Sequence, residues 1–247
     1  MDSDVGNRQP AMIQVSIVVP AYNEEALLGA TLRALDEARR RLAEPSEIIV
    51  VDDGSTDRTG DIAAAGGARV VRVQLRQIAG ARNAGARAAR GDLLVFVDAD
   101  TIVPPDALAA AVAAVRQGAV GGGAGVAADS NEPRWGPPTI AFVVWLMRQV
   151  GWAAGCFFFI RRDVFERVGG FDERYFASEE IHLSRAAKRH GRFVILRQKV
   201  VTSGSKGRLF SASDVFRQFA RALLPGTLKR RDRLEMWYGG HREKGSK

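Results

Sequence analysis

The stretch Leu93-Leu94-Val95-Phe96-Val97-Asp98-Ala99-Asp100 (LLVFVDAD, 93–100) decides the fold. Five apolar residues run without interruption and then give way to two carboxylates one residue apart. A strand with one wet face would alternate, whereas an unbroken run reads as a strand covered on both faces. Toward the N-terminus the same texture recurs at VSIVVP (15–20), IIVV (48–51) and VVRVQL (70–75). Between these runs the apolar residues take helical spacing. Residues 26–42 place Leu27, Leu28, Leu32, Leu35 and Leu42 on one stripe, 56–65 form a second helix, and 79–89 an Ala/Arg helix. Four strand–helix repeats predict a doubly wound α/β sheet, mostly parallel and flanked by helices.

Toward the C-terminus, Pro104-Pro105 opens a further helix through Arg116, proline being tolerated in a first turn. Residues 118–138, with six Gly and three Pro, read as a strand followed by a mobile, lid-like loop. Residues 139–150 read as a helix, Cys156–Ile160 as a buried strand, and Arg162–Val168 as a short helix stopped by Gly169-Gly170. Ser178–His190 is expected to be helical, with Ser178 as its N-cap. Two short strands are expected at Phe193–Leu196 and Val200–Ser203, and an amphipathic helix at Ser213–Leu224. No internal repeat or linker stands out. The expected organisation is a flexible N-terminus (1–14), one catalytic domain (15–205, halves 15–101 and 102–205) and a basic extension (206–247).

Composition narrows the classes of function. The chain has 247 residues and a formal net charge of +8. A single cysteine, Cys156, excludes an internal disulfide framework and a Cys-rich zinc site. Residues 1–12 lack the basic start and apolar run of a signal peptide. The most apolar region, 139–160, is broken by Arg148 and Gln149, short of the ~20 residues of a spanning helix. The chain is therefore expected to be cytoplasmic. Its charge is uneven: residues 185–247 hold 17 Lys+Arg against 4 Asp+Glu, and the remainder nets −5. The basic end, interleaved with Phe210, Phe216, Phe219, Trp237 and Tyr238, is expected to meet an anionic membrane surface. Lys206 and Arg208 could instead reach a bound diphosphate. No recognition motif accompanies the charge, so nucleic acid is not an expected partner.

Ligands of open α/β sheets bind beyond the carboxyl ends of the strands. Polar clusters fall at three such ends: Pro20-Ala21-Tyr22-Asn23-Glu24-Glu25, Asp52-Asp53-Gly54-Ser55-Thr56-Asp57 and Asp98-Ala99-Asp100. Turn formation and helix capping account for much of the second cluster. The paired carboxylates of the third repel each other unless a cation or donor lies between them. Hard oxygen ligands suit Mg²⁺ or Mn²⁺, held partly by a substrate diphosphate.

SIVVPAYNEE (16–25), IIVVDDGSTDRTGDIA (48–63), GARNAGARAARGDLLVFVDADT (80–101) and GCFFFIRRDVFERVGGFDERYFASEE (155–180) together resemble the family-2 glycosyltransferases of the GT-A fold. The resemblance covers about 16–192. It implies that Pro20, Ala21 and Tyr22 contact base and ribose, with Glu24 near the ribose. Asp53 would accept a hydrogen bond from a base N–H, and Arg82 would lie near the nucleotide and its phosphates. Asp98 and Asp100 match the family's DxD motif, Asp100 as metal ligand and Asp98 toward ribose or a metal-bound water. The family's acidic pair corresponds to Glu179-Glu180, with Glu180 implied as general base. Acids in a first helical turn also stabilise the helix dipole.

The chain departs from the family pattern here. Glu180 stands where Asp is usual, and His182 where a second acid is frequent. Gln218 and Arg221 match the Gln-x-x-Arg-Trp of processive members only without the Trp, which implies transfer of a single sugar. His241 is a remote metal-ligand candidate. The implied partners are a nucleotide-diphosphate sugar donor and a hydroxyl acceptor, glycan or lipid-linked. The alternatives are a non-catalytic nucleotide-sugar or phospholipid-binding module of the same fold, and a nucleotidyltransferase. The latter would more naturally carry a glycine-rich triphosphate loop where Pro20–Glu25 stands.

Overall fold

The computed structural model describes residues 13–128, 155–175 and 179–202. The expected lid loop beyond residue 128, the 139–150 helix, the Ser178 cap, His241 and the 206–247 extension with its helix lie outside the described residues.

Eight strands form one sheet in the order β3-β2-β1-β4-β7-β6-β8-β5. They are β1 (Val15–Ala21), β2 (Ser46–Asp53), β3 (Arg69–Val73), β4 (Leu93–Val97), β5 (Thr101–Ile102), β6 (Ala119–Ala128), β7 (Phe157–Arg161) and β8 (Arg192–Thr202). The helices are α1 (Leu28–Arg40), α2 (Thr59–Ala65), α3 (Ile78–Ala88), α4 (Pro105–Arg116), α5 (Arg162–Arg167) and α6 (Glu179–Ala187), the last continued by a 3₁₀ turn at Lys188–His190. The first four strands pair in parallel, as the unbroken apolar runs require. β1 and β4 bury every residue.

Each face of the sheet carries its own core. Leu28, Leu32 and Leu35 of α1 and Ala107, Leu108 and Ala111 of α4 cover one face. The other is covered by the small residues of α3 together with Phe165, Phe171 and Leu183. Phe96 meets Phe171 edge-on at 4.9 Å between ring centroids, the arrangement that aromatic quadrupoles favour.

The second half departs from a simple parallel winding. β7 runs antiparallel between β4 and β6, and β6 returns to a parallel pairing with β8. The two strands expected at 193–196 and 200–203 are one strand. Ala124 of β6 faces three residues of β8, Leu196 to Gln198, and this bulge produced the apparent gap in the apolar pattern. The glycines of β6 have a packing reason: a side chain on Gly122 would strike the Val194 carbonyl and the Phe159 ring.

Candidate active site

Strand order reverses between β1 and β4, the point at which ligands enter such sheets. The β1–β4 ladder ends at Val18/Phe96, whereas the β1–β2 ladder continues to Ala21/Asp52. A crevice therefore opens, with Pro20, Ala21 and Tyr22 on one lip and Asp98 on the other. Proline is tolerated at position 20 because the ladder with β4 has already stopped there. Tyr22 is 37% exposed on this lip.

The β1 and β2 loops are laced together. Asn23, in the left-handed region (φ 51°) that asparagine tolerates, donates its N–H to Ser55 Oγ at 3.0 Å and accepts from the Thr56 N–H at 2.8 Å. The Glu24 N–H donates to Thr59 Oγ1 at 2.7 Å. Asp57 accepts from the N–H groups of Thr59, at 3.0 Å, and of Glu25, at 3.2 Å. Asp57 is thus spent on the loops, as the turn reading of its cluster anticipates. Asp53 is buried, and its carboxylate accepts the N–H groups of Leu75, Arg76 (2.8 Å) and Gln77 (2.9 Å). A carboxylate has about four acceptor positions, so most of its capacity is committed to the β3–α3 loop.

Asp98 and Asp100 share one turn beyond β4. The Asp98 carbonyl accepts the Thr101 N–H at 3.1 Å, and the Asp98 N–H donates to the Cys156 carbonyl at 3.3 Å. Thr31, buried in α1, donates its hydroxyl to the Ala99 carbonyl at 2.8 Å and pins the turn from below. The hydroxyl of Thr202 donates to Asp100 Oδ1 at 3.4 Å. Both carboxylates are partly open; Asp98 is 29% exposed. Among the described residues no three His, Cys, Asp or Glu side chains converge on one point. Two carboxylates on one rim fit a hard divalent cation whose other ligands come from a diphosphate and water. The Cys156 thiol beside them is held protonated by burial and by the charges of Asp98 and Asp100, so it is neither nucleophile nor thiolate ligand.

Arg82 lies at the centre of the site. It is 2% exposed on α3, and its guanidinium joins the two halves of the chain. Nη1 donates to Glu179 Oε1 at 2.7 Å, and Nη2 donates to Asp98 Oδ1 at 2.8 Å and to the Gly155 carbonyl at 2.9 Å. Burial works against its charge, but Asp98, Glu179 and Glu180 outweigh burial and hold the guanidinium protonated. Three of its five N–H groups are thus given to protein acceptors, while Nε–H, also buried, has none among the described residues. Glu179 is buried at the start of α6, and burial raises its carboxyl against the opposing pull of Arg82. Glu180 is half-buried; burial and then the Glu179 charge push it up to about 8. A carboxyl in that state is largely protonated at neutral pH, where an ordinary Glu is ionised. Gly155 separates the groups: a Cβ there would lie 3.2 Å from Arg82 Nη2 and 3.4 Å from the Glu180 carboxyl carbon.

The structure therefore gathers Arg82, Asp98, Glu179 and Glu180 at the crevice, with Asp100 on the adjoining turn. Asp53 lies two strands away, beyond β2. His182 stacks on Tyr175 with 3.9 Å between ring centroids. Sequence reasoning passed over Thr31, Arg76, Gly155 and Asn83. Asn83 follows Arg82 in GARNAG; its carboxamide donates to the Phe171 carbonyl and accepts the Phe171 N–H, fixing the Gly-Gly-Phe-Asp-Glu segment. Its place inside that motif was the available signal.

Comparison with known proteins follows this geometry. The sequence profile of glycosyl transferase family 2 matches residues 16–169. An undecaprenyl-phosphate 4-deoxy-4-formamido-L-arabinose transferase of Pseudomonas paraeruginosa is 41% identical over 111 residues, 42% of this chain and 33% of that protein. The same-named protein of Pseudomonas aeruginosa is 39% identical over 130 residues, 49% of this chain and 38% of its own. The chain thus spans little more than a third of the length of these curated relatives. Among solved structures, the mannosyltransferase PcManGT of Pyrobaculum calidifontis, in complex with GDP-Man and Mn²⁺, superposes with a TM-score of 0.65 at 24% identity, over 85% of this chain and 61% of that one. Staphylococcus aureus TarS 1–349 with UDP-GlcNAc gives 0.61 at 19% identity, over 77% and 58%. These two likenesses bear on the fold, which is that of the GT-A glycosyltransferases. With more than half of its length matched by the profile, the chain belongs to glycosyl transferase family 2.

Proposed function

We propose that the chain moves a single sugar from a nucleotide-diphosphate donor to an acceptor oxygen, in one inverting displacement that uses Mg²⁺ or Mn²⁺. The observation that carries this reading is the convergence of Asp98, Arg82, Glu179 and Glu180 at the β1/β4 crevice, with Asp100 on the adjoining turn. Asp100 and Asp98 hold the cation, and Pro20, Ala21, Tyr22 and Glu24 line the nucleoside side. A divalent ion there supplies the positive charge that steadies a departing nucleoside diphosphate. Arg82 carries no phosphate contact in this scheme. It fixes Asp98 and Glu179 relative to each other, and through them the donor and acceptor halves. With a hydroxyl acceptor, the oxygen bonds to the anomeric carbon as the carbon–phosphate-oxygen bond breaks, and the hydroxyl proton passes to the ionised form of Glu180, whose share grows as pH rises toward about 8.

A second reading of the acceptor rests on the raised Glu180 carboxyl and on the relatives' names. A lipid phosphate such as undecaprenyl phosphate is already anionic at neutral pH, so its oxygen needs no base. A protonated Glu180 would then donate a hydrogen bond to it. Screening sugar donors with Mn²⁺ and scoring nucleoside diphosphate release tests the enzyme reading; no turnover or binding with any donor would overturn it. Glu180→Gln then separates the acceptors. A hydroxyl acceptor predicts a loss of about 10²–10⁴ in rate. A phosphate acceptor predicts a change below about tenfold, glutamine still donating a hydrogen bond.

A further inference from the structure

The buried stripe of α1 contains one polar residue. Leu28, Leu32, Leu35 and Ala38 line it, and Thr31 stands among them with no exposed surface. Threonine is a poorer helix former than leucine or alanine, and a hydroxyl buried on such a face must find a partner. A threonine within a helix commonly turns its hydroxyl to the carbonyl one turn back. Thr31 donates instead to the Ala99 carbonyl at 2.8 Å, across 68 residues of sequence. Ala99, itself buried, is the residue between Asp98 and Asp100. The one polar group on this face of α1 therefore reaches the middle of the turn that carries both carboxylates.

Each residue of that turn is tied to a different element. Asp98 is held at its N–H by the Cys156 carbonyl, at 3.3 Å, and at its carboxylate by Arg82 of α3. Asp100 accepts from the Thr202 hydroxyl of β8 at 3.4 Å. Thr31 grips the peptide unit between them, and the orientation of that unit sets the directions in which the two flanking side chains leave the backbone. We propose that Thr31 is a positioning residue for the cation: it touches neither metal nor donor, but its hydroxyl fixes the geometry in which Asp98 and Asp100 present their carboxylates. Groups that hydrogen-bond behind metal ligands commonly govern affinity in this way. The nucleoside lip is secured separately, by the bonds of Asn23 and Glu24 to the loop after β2. Thr31 thus bears on the metal-dependent part of donor binding. The inference rests on the metal and donor reading above.

Titration calorimetry with UDP and GDP, in Mg²⁺, in Ca²⁺ and in EDTA, tests it on the full chain. Thr31→Val keeps the shape of the side chain and removes the hydroxyl. Its affinity for the bound diphosphate in Mg²⁺ should fall by about tenfold or more. Thr31→Ala lacks the same hydroxyl and favours the helix, so it should show the same loss even if the valine variant folds poorly. Thr31→Ser restores the donor and should stay within about threefold of the parent. The metals add a signature. Mg²⁺ demands near-ideal octahedral ligands whereas Ca²⁺ accepts irregular ones, so the loss in Ca²⁺ should be smaller. A general loosening of the fold would lower both alike and would not be repaired by serine. Unchanged Mg²⁺-dependent affinity in the valine and alanine variants would overturn the proposal, as would a loss in Thr31→Ser as large as in Thr31→Val, or equal losses in the two metals. A parent chain that binds no nucleoside diphosphate, or binds it equally in EDTA, would overturn the metal and donor reading itself.

Discussion

At the scale of single residues, the site is a balance of buried charge. One guanidinium, Arg82, faces Asp98 and Glu179 directly, and Glu180 lies close by. The surplus of negative charge and the burial together explain why the Glu180 carboxyl rises to about 8 from an ordinary 4.5. The consequence for stability has a definite sign. Between those values the unfolded chain has released the proton and the folded chain still holds it. Stability contributed by this group is therefore complete below the ordinary value and is lost as pH rises through about 8. Glu180→Gln removes the titration. Its melting temperature should exceed that of the parent by several degrees at about pH 9, and the gap should close toward about pH 5. Thermal melts across that range check this; a gap independent of pH would contradict it. The acids, Arg82 and the aromatic lip could all be picked from the sequence. What Arg82 bonds to could not, because Glu179 lies 97 residues away and only the fold brings it close. The same holds for Asp53, whose partners 22 to 24 residues on become visible only once β3 pairs with β2.

At the scale of elements, α3 shows how packing positions chemistry. Its residues from Ala79 to Ala86 are buried, and small side chains let it lie close on β1 and β2. A Cβ on Gly85 would overlap Val18 Cγ1 and come within 2.9 Å of Val51 Cγ2. Both valines are fully buried. Alanine gains about 1 kcal/mol in helix propensity over glycine, but overpacking a fixed core costs about 1–3 kcal/mol. Gly85→Ala should therefore lower the denaturant midpoint. It should also reduce donor turnover, because Arg82 and Asn83 sit on the same helix. A midpoint that is unchanged or raised would contradict this packing account. Strand β4, with its unbroken apolar run, was legible to the residue. The β8 bulge and the antiparallel insertion of β7 were not, since pairing partners and register are decided between elements that no local pattern connects.

At the scale of the whole molecule, topology puts the chemistry in one place. The order β3-β2-β1-β4 leaves a crevice where two ladders part, and residues from both halves of the chain meet there. The fold class followed from strand texture and the DxD and tyrosine lips from what stands at the strand ends, whereas Arg82 and the Glu179-Glu180 pair came from the family resemblance. How the second half closes against the first did not, because that closure is made by the β4–β7 ladder, the Phe96–Phe171 contact and the buried Arg82–Glu179 pair, all between residues far apart in sequence. The net charge of +8 hides a division that matters for function. On the proposed reading, the acidic crevice takes up a cation before an anionic donor binds. The most direct test is therefore a calorimetric titration of nucleoside diphosphate, with and without Mn²⁺, into the parent chain and Asp100→Asn. The account predicts binding that requires Mn²⁺ and falls by at least about tenfold in the variant. Equal binding without the metal, or an Asp100→Asn variant that binds as tightly as the parent, would contradict it.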